Sequence, residues 1–235
     1  MQRFKYSSKI ISKNIINEKI IEICLEKPKD FNFKAGQYII LKLVNLPENV
    51  EGGNKRAFSI ASSPLDEKIC LITNRGVSEY KKYLEEKLKV GEDVEIFGPF
   101  GNMTLEENYK IITFLAGGAG IAPFLSMIRY VFQKNLDIKM FLFYSEKKFD
   151  YLVYLSELKE YEKLGKLNLI ITLTQEKREG FEFGRINKEM IKRHLSDYLN
   201  ESAFYIAGSP EFVESMKSYL KELEVNEERI KTEKW

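Results

Sequence analysis

The chain holds only two cysteines and one histidine among 235 residues, and that scarcity removes several kinds of chemistry. A cluster held by four thiolates needs twice as many cysteines, so any iron–sulfur centre must come from another chain. His194 lies in the charged stretch Lys192-Arg193-His194-Leu195 with no cysteine or carboxylate at metal-ligand spacing. It reads as a surface residue, and no metal site is expected. Ser62 and Ser63 lack a nearby histidine and a nucleophile elbow, which argues against a serine hydrolase. Cys24 and Cys70 sit in the apolar, strand-like stretches 20–25 and 68–72 and read as free buried thiols rather than a disulfide.

Charge of one sign is also lacking. The 37 basic and 35 acidic residues are interspersed, with none of the basic striping that nucleic-acid binding needs. Long hydrophobic runs are missing: the best candidate, 111–125, is cut by Gly117, Gly118, Gly120 and Pro123, so no membrane span is expected. Met1-Gln2-Arg3-Phe4-Lys5 has no apolar signal core, and the expected location is cytoplasmic. What is present, 44% hydrophobic and 31% charged residues, suits a globular chain long enough for two small domains.

The two halves follow different periods. Short strand patterns at 5–12, 19–26, 37–44, 56–61, 68–73 and 93–98 are separated by turn signals, including a turn region at 14–17 and a glycine-containing loop at 48–55. This pattern predicts an antiparallel barrel or sandwich. One helix, 77–88, interrupts it and places Tyr80, Leu84 and Leu88 on one face. On that helix Lys81, Lys82, Glu85 and Glu86 read as a solvated face. After Asn102 buried strands alternate with helices: 111–115, helix 123–133, 139–144, helix 151–164, 167–174, helix 188–194, 203–207, helix 211–223 and a last strand at 229–233. That alternation predicts a doubly wound parallel sheet with ligands at the carboxyl ends of its strands. Aromatics between Tyr144 and Tyr161 fall at helical spacing and read as core. The boundary is placed at Gly98-Pro99-Phe100-Gly101 or just after, giving domains 1–103 and 104–235.

The first buried strand runs directly into Ala116-Gly117-Gly118-Ala119-Gly120-Ile121-Ala122-Pro123. Glycines permit a sharp turn and a close backbone approach. The following helix offers free N–H groups and its positive dipole end to an anion. Pro123 suits the first helical turn, where its missing N–H costs nothing.

Read in order, four segments resemble the ferredoxin–NADP reductase family. Arg56-Ala57-Phe58-Ser59 is similar to its flavin motif, Arg-x-Tyr-Ser. Gly98-Pro99-Phe100-Gly101 resembles the turn closing its flavin barrel. Gly117 to Pro123 resembles its nicotinamide-dinucleotide loop, and Tyr205-Ile206-Ala207-Gly208-Ser209-Pro210 its late Cys-Gly-x-Pro strand end. Weaker echoes lie at Ala35-Gly36-Gln37-Tyr38 and 144–158. The resemblance spans the chain and implies an N-terminal antiparallel FAD-binding β-barrel followed by a doubly wound NAD(P)-binding α/β domain. It further implies an NAD(P)H-dependent, FAD-containing reductase. Hydride would pass between nicotinamide and flavin at the domain interface, and single electrons between flavin and a partner such as ferredoxin or flavodoxin.

The same resemblance supplies roles. Arg56 would pair with the flavin pyrophosphate, Phe58 would lie against the flavin ring, and Ser59 would hydrogen-bond its N5 edge, with Ala57 between them in the motif. Gly76, Val77 and Ser78 would bring backbone N–H groups to the pyrophosphate. Gly117, Gly118, Ala119, Gly120 and Pro123 would bind the dinucleotide, together with Gly208, Ser209 and Pro210. The family's cysteine near the nicotinamide is Ala207 here, which leaves room for the ring without a thiol. Glu233 matches an acidic position near the active site, and Trp235 would either cover the flavin face or fray. FAD rather than FMN follows from the family alone, since no adenine pocket is legible.

NADH and NADPH both remain open. The positions that decide are Ser145, Lys147 and Lys148 after one strand and Thr174, Gln175, Glu176, Lys177 and Arg178 after the next. Phosphate-selecting relatives often carry Ser-Arg where Thr174-Gln175 stands, while the three cations pull the other way. Two alternatives stand beside the reductase reading: an electron-transfer subunit of an iron–sulfur or haem complex, and a redox-silent nucleotide-binding regulator on the same fold.

Overall fold

The computed structural model describes residues 4–234, so Trp235 lies outside the described residues. The chain packs as two units: one running up to Leu105 and including Leu125–Tyr130, the other formed by Glu106–Phe124 and the residues from Val131 onward.

In the first unit β1 (Lys5–Ile15), β2 (Ile20–Glu26), β3 (Tyr38–Leu43), β4 (Lys55–Ser59), β5 (Lys68–Asn74) and β6 (Asp93–Phe100) form one antiparallel sheet in the order β4-β3-β6-β1-β2-β5. A bridge between Ile60 and Leu71 and the bond from Ala61 N to Cys70 O (2.8 Å) join its two edges, nearly closing a barrel and removing exposed strand edges. Alternation sends Ile39, Leu41 and Leu43 inward against Val94 and Ile96. Between β5 and β6 Ser78 caps α1 (Glu79–Lys82), which passes directly into a π-turn at Tyr83–Lys87. The expected helix over 77–88 is thus shorter and mixed, yet Tyr80, Leu84 and Leu88 all reach the barrel core. Tyr80 donates its buried hydroxyl to Leu41 O at 3.0 Å.

Several expectations for this half change. The first turn lies at 16–19 rather than 14–17, because β1 stays paired with β2 as far as Ile15 opposite Ile21. Asn17 Oδ1 then accepts from Lys19 N and Ile20 N. Gly98, Pro99 and Phe100 belong to β6, where Phe100 pairs with Tyr38 across an irregular register; only Gly101 leaves the strand. The cysteines are a disulfide, not free thiols. β2 and β5 pair with Cys24 directly opposite Cys70, at a Cα separation of 4.1 Å. Strand register decides this, and two strands 46 residues apart do not reveal it in sequence. Of the supposedly solvated face, Lys82 and Glu86 are exposed, but Lys81 and Glu85 are half-buried, and Glu85 is paired with Arg75.

The second unit contains β7 (Ile111–Gly117), the two ends of α2 (Ala122–Gln133, whose residues Leu125–Tyr130 group with the first unit), β8 (Lys139–Glu146), α3 (Leu155–Lys163), β9 (Leu167–Leu173), β10 (Glu182–Phe183), α4 (Lys188–Leu195), β11 (Ala203–Gly208), α5 (Pro210–Glu222) and β12 (Ile230–Lys234). All neighbours pair in parallel, in the order β10-β9-β8-β7-β11-β12. Helices cover both faces, as a sheet apolar on both sides requires. Ile191 and Leu195 of α4 and Val213, Met216 and Leu220 of α5 pack on Leu115, Phe143 and Ile206, while Phe114 on the other face makes tilted ring contacts with Phe124 and Tyr205.

The third helix starts at Leu155 rather than 151, because Tyr154 takes a left-handed backbone (φ 54°) that an α-helix cannot extend through. Tyr144 is core, whereas Phe149, Tyr151, Tyr154 and Tyr161 are only half-buried. His194 is half-buried rather than a free surface residue: its Nε2 lies 2.9 Å from Glu182 Oε1 and its ring meets Phe143 edge-on.

Candidate functional site

In the parallel sheet the strand order reverses at β7, which has β8 on one side and β11 on the other. Ligands of doubly wound sheets bind at the carboxyl edge of such a switch. The glycine loop stands at that edge. Gly118 has φ +55°, a conformation that a side chain disfavours. Gly120 is pressed against β11: a Cβ there would lie 2.3 Å from Ala207 O and 2.8 Å from Gly208 N. Gly118–Ile121 form a 3₁₀ turn that leads into α2, with Pro123 in its first turn. On the neighbouring strand Ser209 caps α5 by accepting from Phe212 N at 3.2 Å, with Pro210 at the first helical position. Two helix N-termini with half-exposed backbone around Gly117–Ala119 therefore meet at one edge, an arrangement that fits a dinucleotide pyrophosphate. Ala207 is fully buried and sits opposite Glu233 of β12 in parallel register.

Sequence reading missed Glu146. It is buried at the end of β8, and its Oε1 lies 3.6 Å from the position a Cβ would take on Gly118. An acidic residue closing the second strand of a doubly wound sheet was the available signal. The candidate selectivity positions lie close by. Thr174 N and Gln175 N donate to the carbonyls of Glu146 and Lys147. Glu176 accepts from Phe149 N at 3.0 Å and pairs with Arg178 at 3.4 Å, whose guanidinium lies 3.6 Å above the Phe149 ring. Lys177 lies over Phe183.

In the barrel, β4 turns Arg56 and Phe58 to one face and Ala57 to the other. Phe58 is buried, its ring 6.0 Å from that of Tyr80, and the Arg56 guanidinium lies 5.1 Å over the same Tyr80 ring. Burial drives the Tyr80 hydroxyl far above the ordinary tyrosine range, so it stays a neutral donor. Arg56 Nη1 is held by the carbonyls of Gly52, Gly53 and Lys55. Gly76, Val77 and Ser78 form an exposed segment, and Ser78 Oγ accepts from Lys81 N at 3.4 Å. Ser59 is buried at the end of β4, opposite Tyr38. Lys81 and Tyr80, neither foreseen in the site, thus accompany the expected Arg56, Phe58 and Gly76. Half-buried cations with exposed backbone donors suit a phosphate-bearing ligand such as a flavin nucleotide.

Ser62 and Ser63 are structural: Ser62 Oγ accepts from Cys70 N, and Ser63 Oγ from Leu65 N. Among the described residues the one group spaced to ligate a metal is Glu22, Cys24 and Cys70, and its sulfurs are joined to each other.

Comparison with known proteins agrees with this geometry. Residues 114–218 match the model of the oxidoreductase NAD-binding domain. The chain is 28% identical over 203 residues to the reductase component of propane 2-monooxygenase from Mycolicibacterium goodii, covering 83% of this chain and 56% of the relative. It is 27% identical over 231 residues to the flavohemoprotein of Bacillus subtilis strain 168, covering 93% and 56%. The crystal structure of a Neisseria gonorrhoeae ferredoxin NADP⁺ reductase with bound FAD and NADP superposes at a TM-score of 0.83, with 20% identity and 98% of each chain covered. The chain thus shares the two-domain fold of that solved structure, and its second half matches the oxidoreductase NAD-binding domain. It spans about half the length of the curated relatives it matches, and no helix among the described residues is long and apolar enough to cross a membrane.

Proposed function

We propose that the chain is a cytoplasmic NAD(P)H-dependent flavin reductase that moves a hydride between nicotinamide and FAD and single electrons between FAD and a protein partner. The observation that carries it is the glycine loop after β7, set at the switch point of the sheet and pressed onto Ala207 and Gly208. Residues 1–103 hold the flavin and 104–235 the dinucleotide. Flavin, when bound, accepts electrons in a pair and returns them singly. The protein's part is binding and orientation. Arg56 offers its remaining guanidinium nitrogens to phosphate, Phe58 and Tyr80 form the apolar wall behind it, and Ser59 supplies a polar contact at the ring edge. Gly117–Gly120 and the α2 N-terminus take the dinucleotide phosphates, and Ala207 leaves space for the nicotinamide beside Glu233.

NADH is the favoured coenzyme. Arg178 is already committed to Glu176 and Phe149, and the Glu146 carboxylate beside Gly118 suits ribose hydroxyls better than a 2′-phosphate.

A reductase component serving a separate oxygenase or iron–sulfur chain is the more specific form of this reading. Both cysteines of the sequence are consumed in one disulfide, so this stretch of chain does not itself hold a four-thiolate cluster, and the proposed electron partner is a carrier such as a ferredoxin, with flavodoxin as the flavin-bearing counterpart. The likeness to a monooxygenase reductase component supports it. The test is the visible spectrum of the purified protein during anaerobic addition of NADH and then NADPH. A yellow protein bleached by NADH at lower concentration than NADPH supports the reading, and a protein that retains no flavin after reconstitution removes it. Co-purification with a cysteine-rich chain supports the component form.

A further inference from the structure

Lys81 and Arg56 are two cations of the barrel that converge on one place, whereas Lys13 and Lys27, also half-buried, are each held by two backbone carbonyls. Lys5, Lys9, Lys42, Arg75 and Lys82 each pair with a carboxylate. Lys82 finds Glu79 on its own short helix. Among the described residues neither Arg56 nor Lys81 has an acidic partner: Arg56 bonds only to backbone carbonyls, and no side-chain bond is made by Lys81. Yet both are half-buried, and they converge. Arg56 lies over the ring of Tyr80, the residue before Lys81. The Lys81 chain runs along Gly76, its Nζ 3.5 Å from where a Cβ on Gly76 would be. Burial, and then the Arg56 charge, push the Lys81 ammonium below its ordinary range. Folding has therefore brought two like charges together without a counter-ion, a cost that a doubly charged anion between them would offset.

We propose that Lys81 is the second cation of the flavin phosphate site, gripping with Arg56 the pyrophosphate that lies against Gly76. This rests on the flavin reading above but adds a residue to it, one absent from the motifs that suggested that reading. A two-cation grip makes retention depend on the phosphate groups rather than on the flavin ring.

The test titrates FAD, FMN and riboflavin into the full-length apoprotein and follows flavin fluorescence, for wild type, Lys81→Gln, Lys81→Arg and the control Lys82→Gln. Loss of one charge-assisted phosphate contact predicts about tenfold weaker FAD and FMN binding in Lys81→Gln. Riboflavin affinity should be unchanged, Lys81→Arg should recover most of the loss, and Lys82→Gln should match wild type. Undiminished FAD binding in Lys81→Gln overturns the proposal, as does an equal loss for riboflavin, which would mark a structural role. If the wild type binds no flavin, calorimetry with inorganic pyrophosphate decides. Binding that Lys81→Gln weakens upholds the anion site while the flavin reading falls, and Lys81-independent or absent binding overturns both.

Discussion

Gly120 is packed so closely on Ala207 that one methyl group would collide with the Ala207 carbonyl oxygen at 2.3 Å. The atoms in the way are backbone, so they cannot rotate aside. Gly120→Ala is expected to lose about 1–3 kcal/mol of stability, the range for overpacking. NADH-driven flavin bleaching should slow further than flavin retention falls. Denaturant unfolding together with stopped-flow reduction checks this, and an unchanged midpoint and rate would show that the close approach is dispensable.

Glu176 pairs with Arg178 at 3.4 Å, which on the proposed NADH reading keeps that cation from a 2′-phosphate. Glu176→Gln keeps an acceptor for Phe149 N and removes the charge. The ratio of kcat/KM for NADPH to that for NADH should rise severalfold. Stability should change little, because a partly exposed pair contributes about 0–1 kcal/mol. Steady-state kinetics with both coenzymes gives the ratio directly, and a fixed ratio would assign selectivity elsewhere.

The Cys24–Cys70 bridge closes a loop between strands 46 residues apart. Denatured protein should show no free thiols without reductant and two with it. The double variant Cys24→Ala/Cys70→Ala should lose about 2–4 kcal/mol, as expected for such a loop. Thiol counting and urea unfolding are the measurements, and two reactive thiols in the unreduced protein would count against the bridge.

Glu182 is held below the ordinary carboxylate value of 4.5 chiefly by the hydrogen bond from His194, then by Arg193. A depressed folded-state pKa stabilises above the unfolded value and stops doing so as pH falls through the folded one. Wild type should therefore exceed Glu182→Gln in melting temperature near neutrality, with the advantage shrinking below about pH 4.5 and vanishing in stronger acid. A pH-independent difference would point to packing instead.

Periodicity made most of the fold legible. The apolar run after Lys110 and the glycines that follow it announce β7 and its loop, since a strand buried on both faces has few other sequence forms. What escaped depended on register or on distant partners. Nothing local sets Cys24 opposite Cys70, and the two-residue β10 is too short to leave a pattern. Lys81 looks like any lysine on a charged helix until Arg56 is folded beside it. Glu146 is followed by Lys147 and Lys148, so in sequence it reads as part of a solvated charged loop and not as the end of a buried strand. Tyr154 gave no warning of its left-handed backbone, since only glycine and asparagine advertise that conformation.

Two of the three carbonyls that clasp Arg56 belong to a loop outside the sheet, at Gly52 and Gly53, and the third is that of Lys55 at the start of β4. A free arginine surrenders roughly 2 kcal/mol of rotamer freedom when a ligand fixes it. Here much of that freedom is given up during folding, so a binding anion meets a side chain already aimed. If Arg56 holds the flavin phosphate as proposed, affinity for the flavin becomes in part a property of this loop. Variation at residues 52 and 53 should then tune how tightly the protein keeps its cofactor, leaving every residue of the redox centre as it was.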